Sequence, residues 1–289
     1  MNPGDNHYFI DVESPTEAAR LIHQGTLLTQ ALGGPLDGLE EPERQQLRSI
    51  LDVACGPGEW VLQVAEAYNA ITTTTTVTGI DLSRQMIDYA TSQAKMKDLV
   101  NATFERMDIL QPWKFADDTF DLVNARTIMA VVPTPHWPTV LRECRRVTRP
   151  GGLIRLTECE MPVSASPHHM RLNDLISQAT LRAGHGFSTD GHQIAITPML
   201  LPLLKGIGCQ HIRSKGYGIS LTAGSQWYES VLQQAIVSYQ LLRPFVVGKG
   251  LIAEDDFEAL TLLALADMQA PDFSAIWYFF SAWGKVPVE

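Results

Sequence analysis

Four acidic or amide side chains stand where apolar runs end: Asp52, Asp81, Asp108 and Asn124. The first lies in Leu51-Asp52-Val53-Ala54-Cys55-Gly56-Pro57-Gly58-Glu59. Its two glycines let the backbone bend sharply and let a ligand approach with no Cβ in the way. An ionised carboxylate accepts two hydrogen bonds at once, so Asp81 suits a vicinal ribose diol. Asp108 suits the exocyclic amine of a purine. Asp52 and Glu59 flank the glycine turn, and their charge would repel a pyrophosphate but attract a cationic ligand end. A dinucleotide fingerprint also wants a third glycine, where this chain has Val61. The set points to an adenosine-containing ligand at the C-terminal edge of a parallel sheet.

Alternating elements must position these groups. Apolar runs predict strands at about 50–53, 77–81, 103–108, 120–125 and 153–157. Helical spacing follows the glycine turn (Trp60, Val61, Val64, Ala65, Tyr68), follows a Ser83 cap (Met86, Ile87, Ala90, Ala94) and covers 138–147. Strands alternating with helices predict a doubly wound, mostly parallel α/β sheet. Upstream, Ser14-Pro15-Thr16-Glu17 reads as a helix cap, and Gly33-Gly34-Pro35 ends that helix. Residues 35–46 read as a loop, Thr72–Thr76 as a polar lead into the second strand, and Arg149-Pro150-Gly151-Gly152 as a turn. Downstream, helices are expected at 167–184, 196–207, 226–242 and 254–269, with an extended stretch at 210–221 and a final buried strand at 276–286.

The 289 residues hold one large domain or slightly more, and the 45% apolar content supports a sizeable core. A net charge of −10 disfavours nucleic acid as a partner. Arg142, Arg145, Arg146 and Arg149 cluster, and are expected on one exposed helix face. Cys55, Cys144, Cys159 and Cys209 form no CxxC pair, so buried thiols rather than a metal site or disulfides are expected. Neither a membrane-length apolar run nor a signal-peptide pattern is seen, and a cytoplasmic protein without membrane contact is expected.

The motifs together resemble the class I S-adenosylmethionine-dependent methyltransferases, particularly the bacterial small-molecule branch. The matching pieces are the 51–58 turn, Gly79-Ile80-Asp81-Leu82-Ser83 with Met86-Ile87, Met107-Asp108-Ile109, Phe120–Arg126 and Arg149-Pro150-Gly151-Gly152. They cover about 47–157. The resemblance implies a Rossmann-like methyltransferase fold with S-adenosyl-L-methionine as cofactor. It implies that Ala54, Gly56 and Gly58 wrap the methionine part and that Asp52 steers its amino group. Asp81 would hold the ribose, Leu82 and Met86 the adenine, Asp108 the adenine amine and Ile109 the ring face. Asn124 and Ala125 would flank the methionine, and Arg126 opens the loop facing the acceptor. Tyr8 would belong to a lid. The implied layout is an N-terminal helical lid (1–46), a core (47–225 and 273–289) and a helical cap inserted before the last strand (226–272).

A methyl acceptor would meet an apolar, aromatic cap carrying Trp227, Tyr228, Tyr239 and Phe245. The expected substrate is a small apolar or aromatic metabolite methylated on oxygen or carbon. His136, His168 and His169 are candidate bases near the mouth, and no metal-ligand set stands out. A cofactor-binding sensor or scaffold that transfers no methyl is the alternative reading. A nicotinamide-dependent oxidoreductase fits less well, because of Val61 and the acids around the turn. A homodimer through the cap is a further expectation.

Overall fold

Fully buried strands need apolar side chains on both faces, and Ile50, Leu51 and Val53 are all sealed from solvent. The computed structural model describes residues 8–11, 14–70 and 74–288. Within them, β1 (Ser49–Val53), β2 (Thr76–Asp81), β3 (Ala102–Arg106), β4 (Phe120–Arg126) and β5 (Thr148–Cys159) run parallel in the order β3-β2-β1-β4-β5. After the two-residue β6 (Val163–Ser164) come β7 (Gln210–Ser220) and β8 (Ala275–Lys285). The antiparallel β8 pairs with β5 on one side and β7 on the other. The strand order reverses at β1, between β2 and β4. A crevice therefore opens beyond the carboxyl ends of β1 and β4.

Helices cover both faces. They are α1 (Pro15–Ala31), α2 (Glu41–Gln46), α3 (Glu59–Asn69), α4 (Arg84–Met96), α5 (Trp137–Val147), α6 (Pro167–Arg182), α7 (Leu200–Gly206), α8 (Tyr228–Gly248) and α9 (Glu254–Met268). Ser14 caps α1 and Ser83 caps α4, each accepting from a backbone amide three residues on. A hydrophobic cluster joins α1 to α6, α8 and α9 through Leu27, Leu28, Leu172, Leu175, Val231 and Phe257. Each such side chain contributes about 1.5–3 kcal/mol on burial. No helix among the described residues is long and apolar enough to cross a membrane.

Several local expectations are corrected. The predicted loop 35–46 contains α2, closed by a reciprocal cap between Glu40 and Glu43; none of its residues is buried, so it leaves no apolar period. β5 starts at Thr148, running through the predicted 149–152 turn with a register shift against β4. α8 continues across Pro244 to Gly248. The final strand is not wholly buried, since Ile276 and Tyr278 are exposed. Arg146 does not simply face solvent: it bridges Glu143 and Asp117 and donates to the carbonyls of Trp113 and Phe115. The four cysteines are free, three of them buried and Cys159 half-buried. Residues 1–7, 12–13, 71–73 (with Thr72 and Thr73 of the threonine run) and 289 lie outside the described residues.

Gly58 stands at a crowded corner of this frame. It caps α3 at φ +83°, and a Cβ there would sit 2.7 Å from both Ala90 and Phe104. We expect Gly58→Ala to destabilise the protein by about 2–4 kcal/mol, combining left-handed strain with overpacking. Denaturant unfolding of the two proteins checks this; equal stability would contradict it.

Candidate cofactor-binding and active site

The turn after β1 is the floor of the site. Ala54, Gly56 and Gly58 all adopt left-handed backbone, packing three reversals into five residues. The carboxylate of Asp81 fastens that turn. Its Oδ2 accepts from the Gly56 amide at 2.8 Å and its Oδ1 from the Ser83 amide at 2.9 Å. One side chain at the end of β2 thus ties the first turn to the start of α4. The two glycines do different work. Space beyond Gly56 is empty to 4 Å, whereas Gly58 is packed against protein.

Across the sheet, Asp52, Asn124 and Arg155 are neighbours in register on β1, β4 and β5. Asn124 donates to Asp52 Oδ1 at 2.7 Å. Burial pushes the Asp52 carboxyl up to about 7, against the opposing pull of the Asn124 bond and of the nearby Arg126. Arg126 is half-buried, and desolvation of its guanidinium lowers it to about 10. Its guanidinium donates to Thr29 Oγ1 at 2.9 Å. An ionised Asp52 attracts an ammonium and Arg126 attracts a carboxylate. Together they make a cradle for an amino-acid zwitterion.

Helix α1 roofs this cradle. Gly25 brings its backbone so close that a Cβ would lie 2.9 Å from Glu59 Cβ. Thr26 Oγ1 donates to Glu59 Oε2 at 3.1 Å, and burial raises the Glu59 carboxyl. At the edge, Tyr8 OH donates to Glu17 Oε1 at 2.5 Å, while Arg20 grips both Glu17 oxygens at 2.6 and 2.7 Å. The cavity, partly open to solvent, measures about 130 Å³. Sites for drug-sized ligands are typically about 300–1,000 Å³, so a ligand of that size needs more room than the cavity gives in this conformation.

Beyond β4 the wall is strained. Thr127, a β-branched residue, is left-handed at φ +55°. The Thr157 carbonyl accepts from its amide at 2.8 Å. The buried Glu158 accepts from the amides of Ile128 and Met129 at 2.7 and 3.1 Å. Burial raises Glu158 to about 8. These contacts hold the loop in a conformation it would not adopt alone.

Of the residues expected from sequence, Tyr8, Asp52, Ala54, Gly56, Asp81, Met86 and Arg126 line the cavity. Gly58, Leu82, Asp108, Ile109, Asn124 and Ala125 do not. Asp108 lies two residues past β3 rather than at its end, and its Oδ1 accepts from the Leu110 amide. Ile109 and Ala125 are core residues, and Asn124 spends its amide on Asp52. None of the candidate histidines lines the cavity. His136 is exposed in a short turn. His168 bonds Asp267 on α9. His169 is buried, which depresses it to about 4, and its Nδ1 meets Ser164 Oγ at 2.8 Å. The Ser166 cap also ties the start of α6 to α9, its Oγ donating to Asp267 Oδ2 at 2.6 Å. Sequence reasoning missed Leu21, Gln24, Gly25, Leu28, Thr127 and Val131 as lining residues. Gly25 was a signal, since glycine inside a helix costs about 1 kcal/mol and often marks a close approach. Thr127 gave none.

Residues 50–152 match the family described as Methyltransferase domain. Demethylmenaquinone methyltransferase from Geobacillus sp. (strain WCH70) is 30% identical over 126 residues, covering 44% of this chain and 51% of the relative. The protein of that name from Geobacillus stearothermophilus is 32% identical over 118 residues, covering 41% and 48%. The chain thus spans about half the length of the curated relatives it matches. The structure of the YcgJ protein from Bacillus subtilis superposes with a TM-score of 0.51 at 14% identity, over 92% of this chain and 99% of that one. Haemonchus contortus phosphoethanolamine N-methyltransferase 2, in complex with phosphomonomethylethanolamine and S-adenosylhomocysteine, also gives 0.51, at 17% identity over 94% of this chain and 57% of that one. These likenesses are of fold. The empty space beside Gly56, the paired carboxylates and the buried guanidinium fit the same cofactor. Residues 50–152 thus match a methyltransferase domain, and the site they build fits S-adenosylmethionine.

Proposed function

We propose that the protein moves a methyl group from S-adenosylmethionine to oxygen or carbon of a small, apolar or aromatic metabolite. The observation that carries this reading is the contrast between the two sides of the cavity. Charged groups sit on the floor and its β4 edge, whereas α1 presents Leu21 and Leu28 from above. Behind α1 lies the apolar layer of α6, α8 and α9. We read 226–272 as a cap on that side and 1–46 as a lid. The Geobacillus relatives are named for acting on demethylmenaquinone, a quinone, which supports an apolar ring as acceptor.

The cofactor supplies an electrophilic sulfonium methyl: the acceptor forms a bond to that carbon, the carbon–sulfur bond breaks, and sulfur keeps the electron pair. The chain's part is to bind, orient and exclude water. Asp52 and Arg126 would fix the amino-acid end, Asp81 the ribose, and Met86 would pack on the base. No histidine lines the cavity among the described residues. An acceptor that is already nucleophilic, such as a phenolate or an electron-rich ring carbon, needs none.

Binding and methyl-transfer measurements test this. First, Asp81→Asn should weaken S-adenosylmethionine binding about 10- to 100-fold by calorimetry, the loss expected for hydrogen bonds to a charged group. Unchanged affinity would remove Asp81 from the site. Radiolabelled methyl transfer to a panel of phenols and hydroquinones, run alongside, separates an enzyme from a sensor: tight binding with no transfer would favour the sensor. Second, binding of an ammonium selects ionised Asp52, whose free-state value is about 7. Cofactor affinity should therefore rise between pH 5.5 and 7, with protons released on binding. Asp52→Asn should flatten that profile, and an unchanged slope in the variant would contradict the assignment.

A further inference from the structure

An aromatic slot lies beside the cofactor cavity, and the chain fills it with its own ring. Phe9 stacks on Phe245 of α8, with centroids 4.5 Å apart and planes at 16°. His185 also meets Phe9, in a T-shaped contact with centroids 4.8 Å apart and planes at 73°. His185 is buried, and its Nδ1 lies 2.8 Å from the Met129 carbonyl. A carbonyl can only accept, so Nδ1 carries the proton and fixes the imidazole plane. Pro244 immediately precedes Phe245, and Lys249 Nζ sits 5.7 Å from the Phe245 ring centre. Both walls of the slot are thus anchored independently of Phe9.

The slot and the cofactor cavity share structure. Met129, which holds His185, belongs to the loop whose Thr127 and Val131 line the cavity. Tyr8, the neighbour of Phe9, lines it too. Residues 8–11 belong to no helix or strand. Among the described residues, the backbone hydrogen bond found on this segment outside regular elements runs from Ser14 to the Asp11 carbonyl. Side chains also hold the segment: Tyr8 through Glu17 and Arg20, and Phe9 through its contacts with Phe245 and His185. Moving this segment would vacate the slot and enlarge the 130 Å³ cavity in one step.

We propose that the slot between Phe245 and His185 is the acceptor subsite, that it takes a planar aromatic ring, and that Phe9 occupies it in the closed state. This rests on the methyltransferase reading and narrows its acceptor to molecules bearing a flat ring. Phe9 acts as an internal competitor. An entering ring replaces one stacking contact with another, so its apparent affinity is lowered by the fraction of molecules in which Phe9 is seated.

The test uses 2-naphthol as probe, titrated by fluorescence against the full chain with and without saturating S-adenosylhomocysteine. Phe9→Ala should bind it roughly three- to ten-fold more tightly than wild type, the range set by one aromatic stacking contact. Adding Phe245→Leu to Phe9→Ala should abolish the gain. Decahydro-2-naphthol, the saturated analogue, titrated by calorimetry, should gain nothing from Phe9→Ala. Should Phe9→Ala fail to fold, Phe9→Leu keeps apolar volume without the ring and should bind 2-naphthol about two-fold more tightly. Equal or weaker binding by the folded Phe9 variant overturns the proposal, as does a gain that survives loss of Phe245 or extends to the saturated probe. The cofactor-free arm reads the slot even if the methyltransferase reading fails, because that failure would appear separately, as no binding of S-adenosylhomocysteine.

Discussion

The carboxylate of Asp81 is the joint on which the site hangs. It accepts from the Gly56 amide on one side and the Ser83 amide on the other. The turn after β1 has three left-handed residues, and such a path needs external fastening. Asp81 provides it and at the same time orders the start of α4, where the Ser83 cap takes over. The same fastening turns the open side of Gly56 toward the crevice. Both acceptor atoms keep further lone pairs, so a diol can be held without releasing the turn.

Around that joint the protein keeps opposite charges out of water and close to one another. Asp52 and Arg126 are each displaced by burial toward their neutral forms, and each limits the other's displacement. Neither is fully compensated by the protein: Asn124 and Thr29 are neutral partners. A ligand carrying both an ammonium and a carboxylate would complete the pairing. The small cavity is bounded by α1 on one side and by the Tyr8–Glu17–Arg20 network at its edge.

Much of this was legible in the sequence. The alternation of apolar runs with capped helices specified the parallel sheet, because a strand buried on both faces tolerates little else than Val, Ile, Leu and small residues. Asp52, Gly56 and Asp81 were visible because strand-end acids beside a glycine turn have few other uses. What was hidden depends on tertiary contact. α2 buries nothing and so shows no period. Thr127 is held left-handed by Glu158 and Thr157, from a strand far along the chain. His168 and His169 lie on α6, which bonds α9 through His168 and its Ser166 cap, a pairing no local pattern encodes. Gly58 has the spacing of a ligand-contact residue but serves packing, a distinction that only its neighbours reveal.

The most direct test of the account is a calorimetric titration of the intact, folded protein with S-adenosylhomocysteine. One saturable site per chain is expected, with thermal stabilisation of the protein by the ligand. Absence of both heat and stabilisation, in protein shown to be folded, would contradict it.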